Sequence, residues 1–311
     1  MSSTDFEPAP ADAPGGAPAP GSTLRQVPRR YLALGLIIVA IFLLGALVLV
    51  RDHYAPSSSP TTETFTPASS SLVNTLATLP QTVFDTVGVS SPASPITPLR
   101  ATSGSGAAPM WQATVNGGPP EPVVFFYGAE FAPYAAAERW PLVLALSRFG
   151  TFRQLGLMQS SATTAFANVS TFTFYDTYYT SAHVILEPVE RYSSLNPTGA
   201  RYLSLQTPDT RQRAAISGYA SSATTFPLLD VGNRWVLNAS SFTPGVLLGL
   251  TQDQIAGDLS SPTSPLTEAV VSAANEITAA ICAVDGQKPD SVCESRGVVA
   301  ADQVLKITPP A

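Results

Sequence analysis

The chain has 311 residues with 16 basic and 22 acidic side chains, a net charge of −6, and only 12% of it is charged, against roughly 25% in an ordinary soluble domain. Two lysines, Lys288 and Lys306, leave no basic patch for nucleic acid. Two cysteines exclude a disulfide scaffold and a four-cysteine zinc site, two histidines exclude a three-histidine centre, and no phosphate-loop, HExxH or dinucleotide glycine motif occurs, so neither a metal nor a cofactor is expected.

Residues 1–30 open with a Pro/Ala/Gly-rich tail that cannot bury a core. Tyr31–Val50 is then twenty residues without a charge. A helix of that length spans roughly 30 Å, the thickness of a bilayer's hydrocarbon core, and it is longer than the apolar stretch of a cleaved signal peptide. It reads as a single uncleaved transmembrane helix. Arg25, Arg29 and Arg30 precede it and Arg51 alone follows. This bias places the N-terminus in the cytoplasm and the rest of the chain outside the cell membrane.

Residues 51–71 form a Ser/Thr/Pro linker, extended rather than packed. Residues 72–305 are read as the extracytoplasmic domain and 306–311 as a tail. Leu72, Leu76, Leu79, Val83 and Val87 recur at helical spacing with Pro80 between them, which predicts two short amphipathic helices packed on the domain. Residues 88–109 read as loop. Pro122–Tyr127 is a fully apolar strand after an Asn116-Gly117 turn, and a helix follows over 135–152, with Gly150 as its end. A buried strand running through a tight loop into a helix opens a parallel or mixed α/β sheet. Thr171–Tyr179, His183–Val189 and Phe226–Asp230 read as strands. Gly232-Asn233 is a hairpin turn into Arg234–Leu237. Arg211–Tyr219, Gln252–Leu259 and Leu266–Ala283 read as helices.

The order of these elements, with Gly128-Ala129-Glu130-Phe131-Ala132-Pro133-Tyr134-Ala135 after the first apolar strand and Thr225-Phe226-Pro227 before a later one, resembles the thioredoxin fold. The run GAEFAPYAAAERWPLVLALSRFGTF is similar to a family of membrane-anchored thioredoxin-like proteins, domain of unknown function 929, in which GAE-[FYW]-CPYCAAERW is expected. The resemblance covers roughly residues 72–285. It implies an α/β fold with a mixed sheet flanked by helices, a cis-proline at Pro227, and a groove for an extended chain lined by Phe131, Pro133, Tyr134, Phe226 and Pro227.

This chain departs from the motif where the chemistry lies. Both cysteine positions are alanine, Ala132 and Ala135. Disulfide exchange needs a thiolate attacking sulfur, so this loop has no catalytic residue for it. The fold's buried acid is expected two residues before Gly128, where Phe126 stands. The alanines fit a naturally redox-dead member or an engineered Cys→Ala pair. Cys282 and Cys293 are expected to form a structural disulfide outside the cytoplasm, with a relocated redox pair as the alternative. Glu138-Arg139 reads as a solvated surface pair, His183 as structural, and the aromatic run Phe172–Tyr179 as core and sheet face. The expected function is a non-catalytic binding or chaperone-like module for exported polypeptides or envelope proteins. The alternative is a thiol–disulfide oxidoreductase that has lost its cysteines or acts through Cys282 and Cys293.

Overall fold

The computed structural model describes residues 66–89, 99–102 and 109–307, apart from 197, 221 and 223; the expected cytoplasmic tail and transmembrane span lie outside these residues. In chain order, strand β1 (Thr66–Pro67) leads into helices α1 (Ser70–Ala77) and α2 (Gln81–Val87), then short strands β2 (Arg100–Ala101) and β3 (Gln112–Ala113). Strand β4 (Glu121–Gly128) and helix α3 (Pro133–Ser147) follow, then strands β5 (Gly150–Phe152), β6 (Gly156–Gln159), β7 (Ser170–Thr173), β8 (Tyr179–Ser181) and β9 (Ile185–Glu190). Helix α4 (Thr210–Tyr219), the hairpin β10 (Leu228–Val231) and β11 (Trp235–Leu237), and helices α5 (Gln252–Asp258), α6 (Pro265–Val284), α7 (Asp290–Cys293) and α8 (Arg296–Leu305) complete the described chain.

The expected α/β architecture, a mixed sheet flanked by helices, is what the chain forms. The main sheet runs β2-β11-β10-β4, with β9 parallel to β4 from Val123↔Ile185 to Gly128↔Glu190 and with β10 antiparallel to it. β3 pairs with the first residues of β4. Successive side chains of a strand alternate between faces. Val123, Phe125 and Tyr127 therefore share one face with Trp111 and with Ala215 and Ile216 of α4, while Val124 and Phe126 share the other with α3 and α6. Burial on both faces explains why this strand is an unbroken apolar run.

Helix α6 is the long central element. Its twenty residues are long and apolar enough to cross a membrane by length and composition, yet 83% of its most apolar window is buried inside the domain. Its few polar side chains, such as Asn275 and Thr278, are buried with the apolar ones because protein surrounds most of it. Around it, α1 and α2 close the core with Leu72, Leu76, Val83, Phe84 and Val87. Ser69 Oγ accepts the Leu72 N–H at 3.1 Å and caps α1, and Pro80 opens α2 as its N-cap. The last carbonyls of α2 are met by Asn275 of α6, whose amide donates to Phe84 O at 2.9 Å and Gly88 O at 2.8 Å.

Arg148 fastens this arm. Standing at the C-cap of α3, it donates to Gln81 Oε1 at 2.9 Å and Ser295 Oγ at 3.0 Å, and its guanidinium lies 4.5 Å above the Phe84 ring. Burial lowers its pKa to about 10, with Asp85 pulling the other way.

Several boundaries differ from the sequence reading. α3 starts at Pro133 and ends at Ser147, and Gly150 begins β5 instead of ending the helix. A Cβ at Gly150 would lie 2.4 Å from Thr180 O, so the glycine serves a close strand crossing. The expected strand over Thr171–Tyr179 is cut at Asp176, where φ is 54°, and becomes β7 and β8; Tyr178 is 65% exposed and belongs to no core. Thr66–Pro67, expected in an unpacked linker, pairs with β6 as β1, and Arg100–Ala101, expected in a loop, pairs with β11 as β2; β3, β5, β6, α7 and α8 had no signal strong enough to read. Cys282 and Cys293 are bonded to each other, S–S 2.02 Å, across the turn that joins α6 to α7.

Gly297 sets the approach of α8 to α2. A Cβ there would lie 2.4 Å from Phe84 O and 2.8 Å from Asn275 Nδ2. Gly297→Ala is therefore expected to lower unfolding free energy by about 1–3 kcal/mol, because backbone must shift to make room; urea denaturation checks it as a lower midpoint at unchanged slope.

Candidate functional site

The loop between β4 and α3 is held from below by the parallel neighbour. Arg191 N–H donates to Gly128 O at 2.8 Å and Glu130 N–H donates to Tyr192 O at 2.8 Å, so the ladder runs past the strand ends. Gly128 is required here, since a Cβ would sit 2.5 Å from the Phe126 ring and 3.1 Å from Glu190 Oε2. Ala132 is the N-cap of α3 with no side-chain hydrogen bond, and Pro133 occupies the first turn, where its missing N–H costs nothing. Ala132 and Ala135 are both buried methyl groups. Neither can act as nucleophile, acid, base or ligand.

Above this base lies an aromatic ledge. The rings of Phe131 and Phe226 meet edge to face at 5.8 Å, and Tyr127 supports Phe226 at 5.1 Å. Tyr202 stacks flat on Phe131 at 4.0 Å, and Tyr192 touches both phenylalanines at 6.3 Å. The Phe226–Pro227 peptide is cis. Of the expected groove residues, the structure thus brings Phe131 and Phe226 together. Tyr134, 36% exposed, packs instead edge-on against Phe166 at 5.8 Å. Pro133 and Pro227 are buried, and they shape the backbone without offering surface. Tyr192, Tyr202 and Phe166 were not singled out in the sequence, because they sit in irregular segments where no periodicity marks a shared face.

The charges under the ledge overturn one sequence expectation. Glu138 and Arg139 are fully buried rather than solvated. Arg139 forms a two-pronged pair with Glu190 of β9, Nε to Oε1 at 2.9 Å and Nη2 to Oε2 at 2.6 Å, both side chains fully enclosed. The Phe174 N–H also donates to Glu190 Oε1 at 3.2 Å, and the guanidinium lies 5.4 Å from the centroid of the Phe126 ring. Phe126 is a buried phenyl ring on β4, and a carboxylate reaches the loop base from the neighbouring strand β9. A second, Glu130, accepts the Thr173 hydroxyl hydrogen. The register Gly128↔Glu190 is the reason, and it is invisible without the fold.

Glu138 faces the other way. Its carboxyl accepts the Ser241 N–H at 2.7 Å and the Ser241 hydroxyl at 3.1 Å. Burial still raises its pKa to about 8, against those hydrogen bonds and with Glu276 of α6 adding repulsion. Burial raises Glu276 itself to about 7.

Elsewhere, His183 Nδ1 lies 2.8 Å from Asp285 Oδ2, a pair that joins the approach to β9 to the end of α6. Among the described residues no group of three or more His, Cys, Asp or Glu is placed to hold a metal ion. Cys282 and Cys293 are both buried.

The family model described as domain of unknown function (DUF929) matches residues 116–283, from the turn before β4 to the end of α6. The chain belongs to the DUF929 family. No curated protein and no solved structure matches it. The ledge, its buried acids and Arg139 all lie inside the DUF929 segment, whereas α1, α2 and α8 lie outside it.

Two outcomes test this description. Arg139→Met alone should cost about 3–5 kcal/mol, because it strands a buried carboxylate, and adding Glu190→Leu should recover most of that loss in a double-mutant cycle. The folded values of Glu138 and Glu276 lie above the ordinary 4.5, so the native state keeps protons that the unfolded chain has released. Stability should therefore fall as pH rises from about 4.5 and level off above about 8. Melting temperature against pH checks this, and Glu138→Gln should flatten the curve.

Proposed function

We propose that the domain is a thioredoxin-like, membrane-anchored binding module without redox chemistry, which holds extended segments of exported polypeptides. The observation that carries the reading is the ledge of Phe131 and Phe226 beside the cis Phe226–Pro227 peptide, set against a helix start whose two motif positions are Ala132 and Ala135. Strand order supports the fold assignment: β4 lies between parallel β9 and antiparallel β10–β11, α3 follows β4 directly, and the cis-proline immediately precedes β10. In that fold a substrate chain lies extended beside the cis-proline. Aromatic surface with few charges suits apolar stretches of an unfolded chain.

The oxidoreductase alternative survives as ancestry. The loop keeps a helix N-terminus at Ala132, the setting that would acidify a thiol placed there. It does not extend to Cys282 and Cys293, because exchange needs access to sulfur and both are enclosed. The anchor at Tyr31–Val50 and the outward orientation rest on the arginine bias and on the apolar span.

Binding is checked by fluorescence anisotropy with a labelled, S-alkylated, permanently unfolded polypeptide. The full chain in detergent should bind it without thiol chemistry, and Phe131→Ala should weaken binding about tenfold, the loss typical of an aromatic anchor. A reductase assay on Ala132→Cys/Ala135→Cys separates the readings. Activity gained there and absent from the parent marks a disabled oxidoreductase scaffold, and activity in the parent overturns the non-catalytic reading.

A further inference from the structure

Arg191, the first residue after β9, brings a fixed cation to the ledge. Its backbone is held on both sides: its N–H donates to Gly128 O at 2.8 Å, and its carbonyl accepts the Leu205 N–H at 3.1 Å. Its guanidinium lies 4.6 Å from the centroid of the Tyr192 ring, the ring that touches both Phe131 and Phe226. A second link runs through Tyr127, which supports Phe226: burial raises the Tyr127 pKa, and the nearby charge of Arg191 opposes that rise. Only one end of the guanidinium is used within the domain. Nη1 donates to Ser204 Oγ at 2.6 Å and to Gln206 O at 3.0 Å, which fixes its plane. The edge formed by Nε and Nη2 donates to no described residue, and the half-buried side chain leaves it in reach of solvent. Arg139 grips Glu190 by this same edge.

The charge is also uncompensated. No carboxylate of the described residues pairs with Arg191. Residues 191–206 hold a second cation, the exposed Arg201, and no acid. Glu130 and Glu190, the acids that flank this surface in sequence, are buried and engaged by Thr173 and Arg139. On a chain of net charge −6 the ledge is a cationic spot.

We propose that Arg191 receives a carboxylate of the bound polypeptide on its Nε–Nη2 edge, next to apolar residues seated on Phe131 and Phe226; this rests on the polypeptide-binding reading above. An Asp or Glu side chain and a C-terminus present the same two oxygens, which match the guanidinium fork. An exposed ion pair ordinarily contributes little, partly because two long side chains must be ordered to make it. Here one partner is ordered beforehand by Ser204, Gln206 and the Tyr192 ring, so less freedom is lost on binding.

The test uses the full chain in detergent and the anisotropy of four peptides that share a Leu-Phe-Leu anchor and an uncharged N-terminal dye. Beside the anchor they carry Glu with an amidated end, a free C-terminal carboxylate, Gln with an amidated end, or Lys with an amidated end. At least one carboxylate peptide should bind about tenfold tighter than the Gln peptide, and which one does so tells a side chain from a chain end. Arg191→Gln should abolish that preference with the Gln peptide's affinity unchanged, and Arg191→Glu should turn the preference to the Lys peptide. Arg153→Gln, which removes the same charge from another exposed position, should leave the preference as it is. Equal affinity of the parent for carboxylate and Gln peptides overturns the proposal, as does a preference that survives Arg191→Gln, and polypeptide binding then still stands. If Arg191→Gln weakens the Gln peptide as much as the others, Arg191 shapes the ledge without choosing its ligand, and the proposal is overturned as well. No anisotropy change with any peptide, with the fold intact by circular dichroism, overturns the polypeptide-binding reading and this proposal with it.

Discussion

The enclosed pair of Arg139 and Glu190 is the constraint around which the DUF929 segment is arranged. It bolts α3 to the strand parallel to β4, and it does so directly beneath the loop that connects them. Two desolvated charges are costly unless geometry is good, and here the guanidinium is gripped at two nitrogens while Glu190 takes a further backbone N–H. The same Glu190 carboxylate borders the tight passage at Gly128, where a Cβ would lie 3.1 Å from Oε2. An apolar core alone would leave the helix freer to slide.

A second layer of fastening holds what lies outside the family segment. Arg148 gathers Gln81, Asn275, Thr278 and Ser295, and Asn275 closes the open end of α2. The N-terminal arm and the C-terminal helix α8 thereby share one set of hydrogen bonds on α6. The domain is extended at both chain ends by elements that meet on the same central helix.

Legibility from sequence varied with how local the cause was. β4, α1, α2, α4 and α6 follow from apolar runs, from helical spacing and from Pro80, and these signals act within a few residues. The boundaries of α3 were shifted because Pro133 prefers a first turn and Gly150 is needed for a strand crossing that sequence spacing does not reveal. Two-residue strands such as β1 and β2 have no pattern to read. The meeting of Phe131 and Phe226 was legible through the motif, whereas the turn of Tyr134 toward Phe166 and the places of Tyr192, Tyr202 and Glu190 depend on contacts between distant segments. Glu138 and Arg139 misled because charged helical pairs are ordinarily wet, and only the fold shows that this helix is buried on nearly every side.

With both of its cysteines bonded to each other, the chain holds no free thiol. A thioredoxin-type enzyme can trap a partner as a mixed disulfide, and release then waits for a second thiol. At Ala132 and Ala135 no such trap can form. If the ledge holds a chain as proposed, that chain would leave at a rate fixed by van der Waals contact and hydrogen bonds, with no covalent step at this loop for the redox poise of the compartment to govern.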